Sequence, residues 1–263
     1  MNGIRDDILN CIVSKNERTS NIIMRYAIIS DIHGNLEALL AVLGDCGKKE
    51  IDRYICLGDI VGYGANPAEC VKQIIDLDAL CVVGNHDHAA IGLTDISFFN
   101  PYAKAAVEWT ASKLSKKHKS FLSHLPFIIT LEDITLVHST LDGPERWRYI
   151  LNDFDAEVNL KLFDNLICFI GHSHVPCMFQ EQYNSKALFD FLNEMTIQQK
   201  TIINVGSVGQ PRDGDPRASY VIYDSELRLV TFERIEYDIA TAQKKIVKSG
   251  LPKILATRLQ LGK

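Results

Sequence analysis

Short apolar runs and segments of helical period alternate along the first half of the chain. Tyr26-Ala27-Ile28-Ile29 is apolar throughout, which predicts a strand covered on both faces. Leu36, Leu39, Leu40 and Leu43 follow at helical spacing and predict an amphipathic helix. The pattern repeats at Arg53–Leu57 and at Ala79–Val83, each run ending in a short polar motif. Asn66-Pro67 and Asn100-Pro101 read as helix starts, with Asn as the cap and Pro at the first helical position. Glu69 adds a capping-box spacing to the first of these. Val71, Ile74 and Ile75 give that helix its buried face, and Ala105, Ala106, Trp109 and Leu114 share helical spacing in the next.

Strands become neighbours in the second half. Phe127–Leu131 and Ile134–Val137 flank Glu132-Asp133, a two-residue hairpin signal. Leu166–Ile170 and Thr201–Val205 are apolar strands, and Ala218–Tyr223 and Arg228–Arg234 close the series around a turn at Asp224-Ser225. A tail helix begins near Ile239 and is interrupted by Gly250 and Pro252. Alternation followed by strand-rich sequence predicts an α/β fold of two mixed sheets packed together, flanked by helices.

Composition refines this reading only in part. At 263 residues the chain is long enough for a substantial core, and no linker or internal repeat divides it. Residues 24–263 read as one domain, with residues 1–23 as a polar, poorly periodic N-terminal extension. The extension carries Asp6 and Asp7 and lacks the apolar stretch of a signal peptide. Met24 reads as the functional start. The net charge of -5 gives the whole chain no attraction for nucleic acid or anionic membrane. The 7 cysteines are scattered without a Cys-x-x-Cys pair, as expected of a cytoplasmic, reducing environment. The basic run Lys116, Lys117 and Lys119 reads as a solvated helix end.

The candidate chemistry sits at the strand ends. Asp31 and His33, Asp59, Asn85 and His86, His138, and His172 and His174 each follow an apolar run. Of 8 histidines, His88, His118 and His124 alone fall outside these positions. Loops at the carboxyl ends of strands can meet at one rim of a sheet. Residues two apart in extended chain point to the same side, so Asp31 and His33 could converge, and likewise His172 and His174. Singly, each has a plain reading as a turn former, a core histidine or a helix cap. Jointly, buried carboxylates, amide and imidazoles call for cations at their centre. The mixed oxygen and nitrogen set suits Mn, Fe, Co, Ni or Zn.

The series Asp31-x-His33, Gly58-Asp59, Gly84-Asn85-His86-Asp87, His138, Gly171-His172-Ser173-His174 resembles the calcineurin-like metallophosphoesterase family. The resemblance covers nearly everything after Met24 and implies a four-layer αββα sandwich. It implies two divalent metal ions: Asp31, His33 and His174 as ligands of the first, Asn85, His138 and His172 of the second, and Asp59 as the bridge. It implies hydrolysis of a phosphoester by hydroxide bridging the metals, with His86 near the leaving group and Asp87 orienting it.

The Asp-Arg-Gly of the family's protein phosphatases and symmetrical diadenosine tetraphosphatases is replaced by Val61-Gly62-Tyr63-Gly64. The runs Gly62-Tyr63-Gly64-x-Asn66-Pro67 and Gly206-Ser207-Val208-Gly209-Gln210-Pro211-Arg212 resemble instead the small bacterial phosphodiesterase-like branch. That resemblance implies small phosphodiester or nucleotide-type substrates. Tyr63, Asn66 and Arg212 are candidate substrate contacts, while Arg212 equally reads as a loop ion pair with Asp213 or Asp215. Arg146 and Arg148 line a substrate entrance or simply face solvent. Diadenosine tetraphosphatase-like or protein phosphatase activity stays open, as does a non-catalytic scaffold of this fold, of which the retromer subunit is an example. A nuclease is disfavoured by the acidic balance. A protein truncated to begin at Met24 is expected to keep its full activity and melting temperature. A large loss of either shows that residues 1–23 belong to the working fold.

Overall fold

The computed structural model describes residues 24–181 and 193–263, so the N-terminal extension lies outside the described residues. In chain order the elements begin with β1 (Arg25–Ile29), α1 (Leu36–Cys46), β2 (Arg53–Cys56), α2 (Pro67–Asp76) and β3 (Leu80–Cys81). Next come α3 (Asn85–Ala90), α4 (Pro101–Lys113), α5 (Lys116–Ser123), β4 (Ile128–Thr130) and β5 (Ile134–Val137). A tight helical turn at Pro144–Arg146 leads to α6 (Asp153–Leu160), β6 (Ile167–Ile170), β7 (Cys177–Gln180), β8 (Glu194–Thr196) and β9 (Thr201–Asn204). The chain closes with β10 (Ala218–Asp224), β11 (Leu229–Ile235), α7 (Ile239–Lys248), α8 (Lys253–Thr257) and a last tight turn at Leu259–Leu261.

The strands form two mixed sheets, in the orders β3-β2-β1-β10-β11-β8 and β4-β5-β6-β9-β7. Both have a parallel centre: β1 pairs parallel with β2, and β6 pairs parallel with β5 and β9. Strand alternation then sorts side chains into layers. Ile28 and Ile55 of the first sheet meet Leu136, Ile167, Phe169 and Ile203 of the second in a core between the sheets. Their neighbours Ala27, Ile29 and Cys56 face outward onto Leu39 and Val42 of α1 and Cys70, Val71 and Ile74 of α2. Cys168, Ile170 and Ile202 likewise face Ala156 and Leu160 of α6. Helix, sheet, sheet and helix thus form four layers, as the sequence pattern predicts.

The elements start as their sequences dictate, with one exception. Asn35 Oδ1 accepts from Ala38 N at 3.2 Å and caps α1. Asn100 Oδ1 caps α4 by accepting from Tyr102 N and Ala103 N. The expected capping box of α2 does not form. Asn66 makes no side-chain cap bond and instead donates to Glu69 Oε1 at 3.1 Å. On α1 the buried residues are Ala38, Leu39, Val42 and Cys46, while Leu40 is 48% exposed on the outer face. The hairpin register Thr130↔Thr135 leaves Leu131 bonded to Ile134 and the turn at Glu132-Asp133, as expected. Phe169 is fully buried between the sheets, with its ring 5.6 Å from that of Tyr223. Phe169→Ala is expected to reduce unfolding free energy by roughly 3–5 kcal/mol in urea titration. A loss within the range of surface substitutions, about 0.5 kcal/mol, shows that the sheets do not depend on this contact.

Candidate metal centre

Loops after β1, β2, β3, β5 and β6 converge on one rim, and their carbonyl and N–H groups fix one another. His33 N donates to Asp59 O at 2.9 Å and Asp31 N to Gly58 O at 3.1 Å, extending the β1–β2 pairing past the strands. The expectation of extended chain at Asp31-x-His33 does not hold. Asp31 and His33 have φ of 53° and 49°, and His172 and His174 of 66° and 61°. Left-handed backbone, not strand alternation, aims these pairs inward. Among the described non-glycine residues with positive φ, all but Asp78 and Arg228 lie at this rim: Asp31, His33, Asp59, Tyr63, Trp147, His172 and His174. Such strain persists only where the surroundings enforce it. Packing is close enough to demand glycine at several points. A Cβ on Gly84 would lie 2.1 Å from Asp59 Oδ1, and one on Gly171 2.0 Å from Ser30 Oγ.

The side chains meet in overlapping groups. Asp31, His33 and His174 present ligand atoms within 4.8 Å of one another, and so do Asp59, His138 and His172. His33, Asp59 and His86 form a third such group. Asp59 stands between the halves, with Oδ2 3.6 Å from His33 Nε2 and 3.5 Å from His138 Nε2. Asn85 Oδ1 lies 3.3 Å from His138 Nε2, which is 3.2 Å from His172 Nδ1. All of these side chains are buried.

Each imidazole is held by its far nitrogen. His33 Nδ1 donates to Val61 O (3.1 Å), His138 Nδ1 to Leu57 O (2.7 Å), His174 Nδ1 to Gln210 O (2.6 Å) and His172 Nε2 to Trp147 O (2.9 Å). Those four protons fix the tautomers and turn the four remaining nitrogens inward. His33 Nε2 and His174 Nε2 then face each other at 3.1 Å. Asp31 Oδ2 accepts from His172 N at 3.0 Å, but Asp31 Oδ1 is buried with no hydrogen-bond partner. A buried carboxylate oxygen beside imidazole lone pairs needs positive charge. The electrostatics agree. Burial alone would lower His138, yet the Asp59 carboxylate beside it pushes it up to about 9. Burial alone would raise Asp31, and His174 and His138 more than offset it. His172 is pushed down to about 3 by burial and then by His138. The donor set therefore fits divalent first-row cations, which take imidazole nitrogen and carboxylate oxygen together.

The remaining expected site residues divide. His86 reaches the group: its ring lies 4.8 Å from His33 and 4.5 Å from Tyr63, and its N–H donates to Asp59 Oδ1 at 2.8 Å. His86 Nδ1 is buried without a partner. Asp87 does not orient it. The Asp87 carboxylate accepts from Val61 N (3.2 Å) and Gly84 N (3.1 Å), tying the β2 and β3 loops together. Burial, and then Asp59, push Asp87 up to about 7. Tyr63 is buried against His33, with ring centroids 4.6 Å apart. Asn66 stays at the α2 cap, turned toward Glu69 and apart from the cluster. Arg212 is not in the loop ion pair: Asp213 takes Arg234 and Asp215 takes Arg217. Its guanidinium sits over Tyr63, 5.9 Å from the ring centroid. Arg146 and Arg148 are exposed and paired with Glu145 and Asp142. His88, outside the motifs, packs edge-on against Phe127 and Trp147.

Sequence reasoning missed the holders. Leu57, Val61, Trp147 and Gln210 act through backbone carbonyls, which leave no trace in side-chain pattern. Asn204 was also missed, although its place at the end of an apolar strand was a usable signal. It is fully buried and donates to Gly171 O (2.5 Å) and Ser173 Oγ (3.0 Å), clamping the His172–His174 loop. Tyr149 was missed too; its ring stacks on His172 at 4.1 Å.

The pattern of the calcineurin-like phosphoesterase superfamily domain matches residues 24–227. An uncharacterized protein of Methanocaldococcus jannaschii is 44% identical over 241 residues, covering 90% of this chain and 98% of its own. A crystal structure of a metallophosphoesterase from Sphaerobacter thermophilus superposes with a TM-score of 0.83 at 43% identity, covering 92% of this chain and all of that one. A hypothetical protein from Pyrococcus horikoshii shares the fold, with a TM-score of 0.76 at 21% identity and coverage of 91% and 98%.

Cation binding is expected to register as stability. Mn²⁺ at about 100 times its Kd adds roughly 2.7 kcal/mol and raises the melting temperature. In Asp59→Asn most of that shift disappears. A wild-type melting curve that none of Mn²⁺, Fe²⁺, Co²⁺, Ni²⁺ or Zn²⁺ moves would sink the metal reading.

Proposed function

The chain belongs to the calcineurin-like phosphoesterase superfamily, and on that premise we propose that it is a phosphohydrolase with two cation positions sharing Asp59. Asp31, His33 and His174 would hold one cation, and Asn85, His138 and His172 the other. The observation that carries this reading is the placement of Asp59, whose Oδ2 lies almost equally far from His33 Nε2 and His138 Nε2. That one oxygen could serve both cation positions, and its charge would offset the repulsion between them, while Oδ1 is held by the His86 N–H. Bound divalent cations supply an acidified water and charge for the phosphoryl oxygens of an in-line displacement.

The chain's own residues do the rest. Four backbone carbonyls hold the imidazoles in one orientation, so the ligand set requires little reorganisation on loading. His86 stands at the edge of the first group. Burial holds it down at about 4, so it is neutral near pH 7. Its single ring proton would bond the leaving oxygen, and an anionic phosphoryl group beside it would raise its proton affinity toward that of a general acid. Arg212 would reach a phosphoryl oxygen from the Tyr63 side, with no Asp or Glu among the described residues paired to it. The substrate class that fits is a small phosphodiester or nucleotide-type ester, and manganese is the first metal to load.

Turnover of bis-p-nitrophenyl phosphate by the Mn²⁺-loaded protein tests this function. His86→Ala is expected to lower kcat by about 10²–10⁴-fold with metal content unchanged. Asp59→Asn is expected to lose metal and activity together. No turnover with any divalent metal refutes the enzyme and favours a binding scaffold. A His86→Ala protein as active as wild type refutes the role of His86.

A further inference from the structure

One of the four imidazoles is held differently from the others. His33, His138 and His174 donate through Nδ1 and turn Nε2 inward, whereas His172 donates through Nε2 and turns Nδ1 inward. The carbonyls that hold the first three belong to Val61, Leu57 and Gln210, all buried. His172 depends instead on Trp147 O, at 2.9 Å, in a half-buried residue between the exposed Arg146 and Arg148. Tyr149, itself 45% exposed, stacks on the same imidazole, with ring centroids 4.1 Å apart and planes 14° from parallel. Two residues of one surface loop thus fix His172, one by a hydrogen bond and one by a flat contact.

The loop is fastened at both ends. Leu141 N donates to Asn159 Oδ1 of α6 at 2.7 Å, and Arg148 pairs with Asp142 across the tight turn. Ile150 is buried with Val137 of β5 and Ile170 of β6. Trp147 is held at a φ of 54°, and its ring lies 6.1 Å from that of His138. Both ring contacts from this loop to ligand imidazoles, Trp147 to His138 and Tyr149 to His172, therefore fall in the second ligand group. That group is also the poorer in charge. The first has Asp31 and a share of Asp59, while the second has its share of Asp59 and the neutral amide of Asn85. A cation position with less fixed charge depends more on how well its neutral ligands are aimed.

We infer that Tyr149 is a positioning residue for the second cation position, acting through His172 and setting the affinity of that position separately from the first. The inference rests on the two-position reading above and deepens it. The Nε2 bond to Trp147 O fixes the tautomer of His172, and the stacked ring restricts rotation of its imidazole. Together they keep His172 Nδ1 aimed at the place it shares with His138 and Asp59. The flat face of Tyr149 does this, and its hydroxyl takes no part. His33 and His174 keep their own holders, Val61 O and Gln210 O, whatever stands at position 149. A surface loop, rather than the strand ends, then decides how much cation the second position requires.

Titration of the full-length protein with Mn²⁺ tests the role, followed by calorimetry and by electron paramagnetic resonance, in which two neighbouring Mn²⁺ ions give a coupled spectrum distinct from that of one. The wild type is expected to take up two Mn²⁺. Tyr149→Ala is expected to weaken the second Mn²⁺ by about 10–100-fold, to leave the first within about twofold, and to shift the coupled spectrum to correspondingly higher Mn²⁺. Tyr149→Phe keeps the ring and is expected to bind both ions as the wild type does. Should Tyr149→Ala not fold, Tyr149→Leu keeps apolar bulk without a flat face and is expected to lose affinity for the second ion in the same way. Wild-type affinity for both ions in Tyr149→Ala or Tyr149→Leu overturns the inference. So does equal weakening of the two ions, or a Tyr149→Phe protein as impaired as Tyr149→Ala. A wild type that takes up no more than one Mn²⁺ fails at the two-position reading itself, before any variant is compared, and overturns the inference with it.

Discussion

Everything at this rim depends on keeping the Asp31 carboxylate in place, fully out of water, between two sheets. One oxygen accepts the N–H of His172, which belongs to the second sheet. The other, 3.3 Å from His174 Nε2, has no hydrogen-bond donor among the described residues. Taking a carboxylate out of water costs several kcal/mol, and one hydrogen bond does not recover it. The imidazoles around it do so only with a positive charge among them. Sheet packing and cation binding are therefore one problem. The Phe169 core brings the sheets together, and the centre is what the ends of those sheets require once they meet.

The outer layers serve the same end. Val208 N and Gly209 N donate to Ser30 O and Asp31 O, so the loop after β9 braces the loop after β1. Ser207 Oγ adds a bond to Asp31 O. The C-terminal helices pack on Tyr63, which packs on His33. Packing thus links the C-terminal helices, through Tyr63, to the loop that begins at position 31.

Much of this was legible in the sequence, for stated reasons. Asp31, His33, Asp59, Asn85, His138, His172 and His174 are strong ligand types at the ends of apolar runs, and a parallel sheet centre gathers such ends at one edge. The route by which they converge was not legible, because left-handed backbone at non-glycine residues contradicts local preference. Nor were β7 and β8, short strands at the sheet edges, one of which is the polar Glu194-Met195-Thr196. Leu40 shows the limit of periodicity: α1 turns a narrower face inward than its leucines suggest.

The left-handed residues give the centre a direction of change over evolutionary time. Each non-glycine residue held at positive φ costs on the order of 1 kcal/mol, and Asp31, His33, Asp59, His172 and His174 are all held so. Glycine at any of these positions relaxes the backbone and removes a candidate ligand in the same step. A lineage released from any need to hold cations would find stabilising substitutions at this candidate centre. Decay of such a centre runs downhill, and its recovery requires several strained residues to return together.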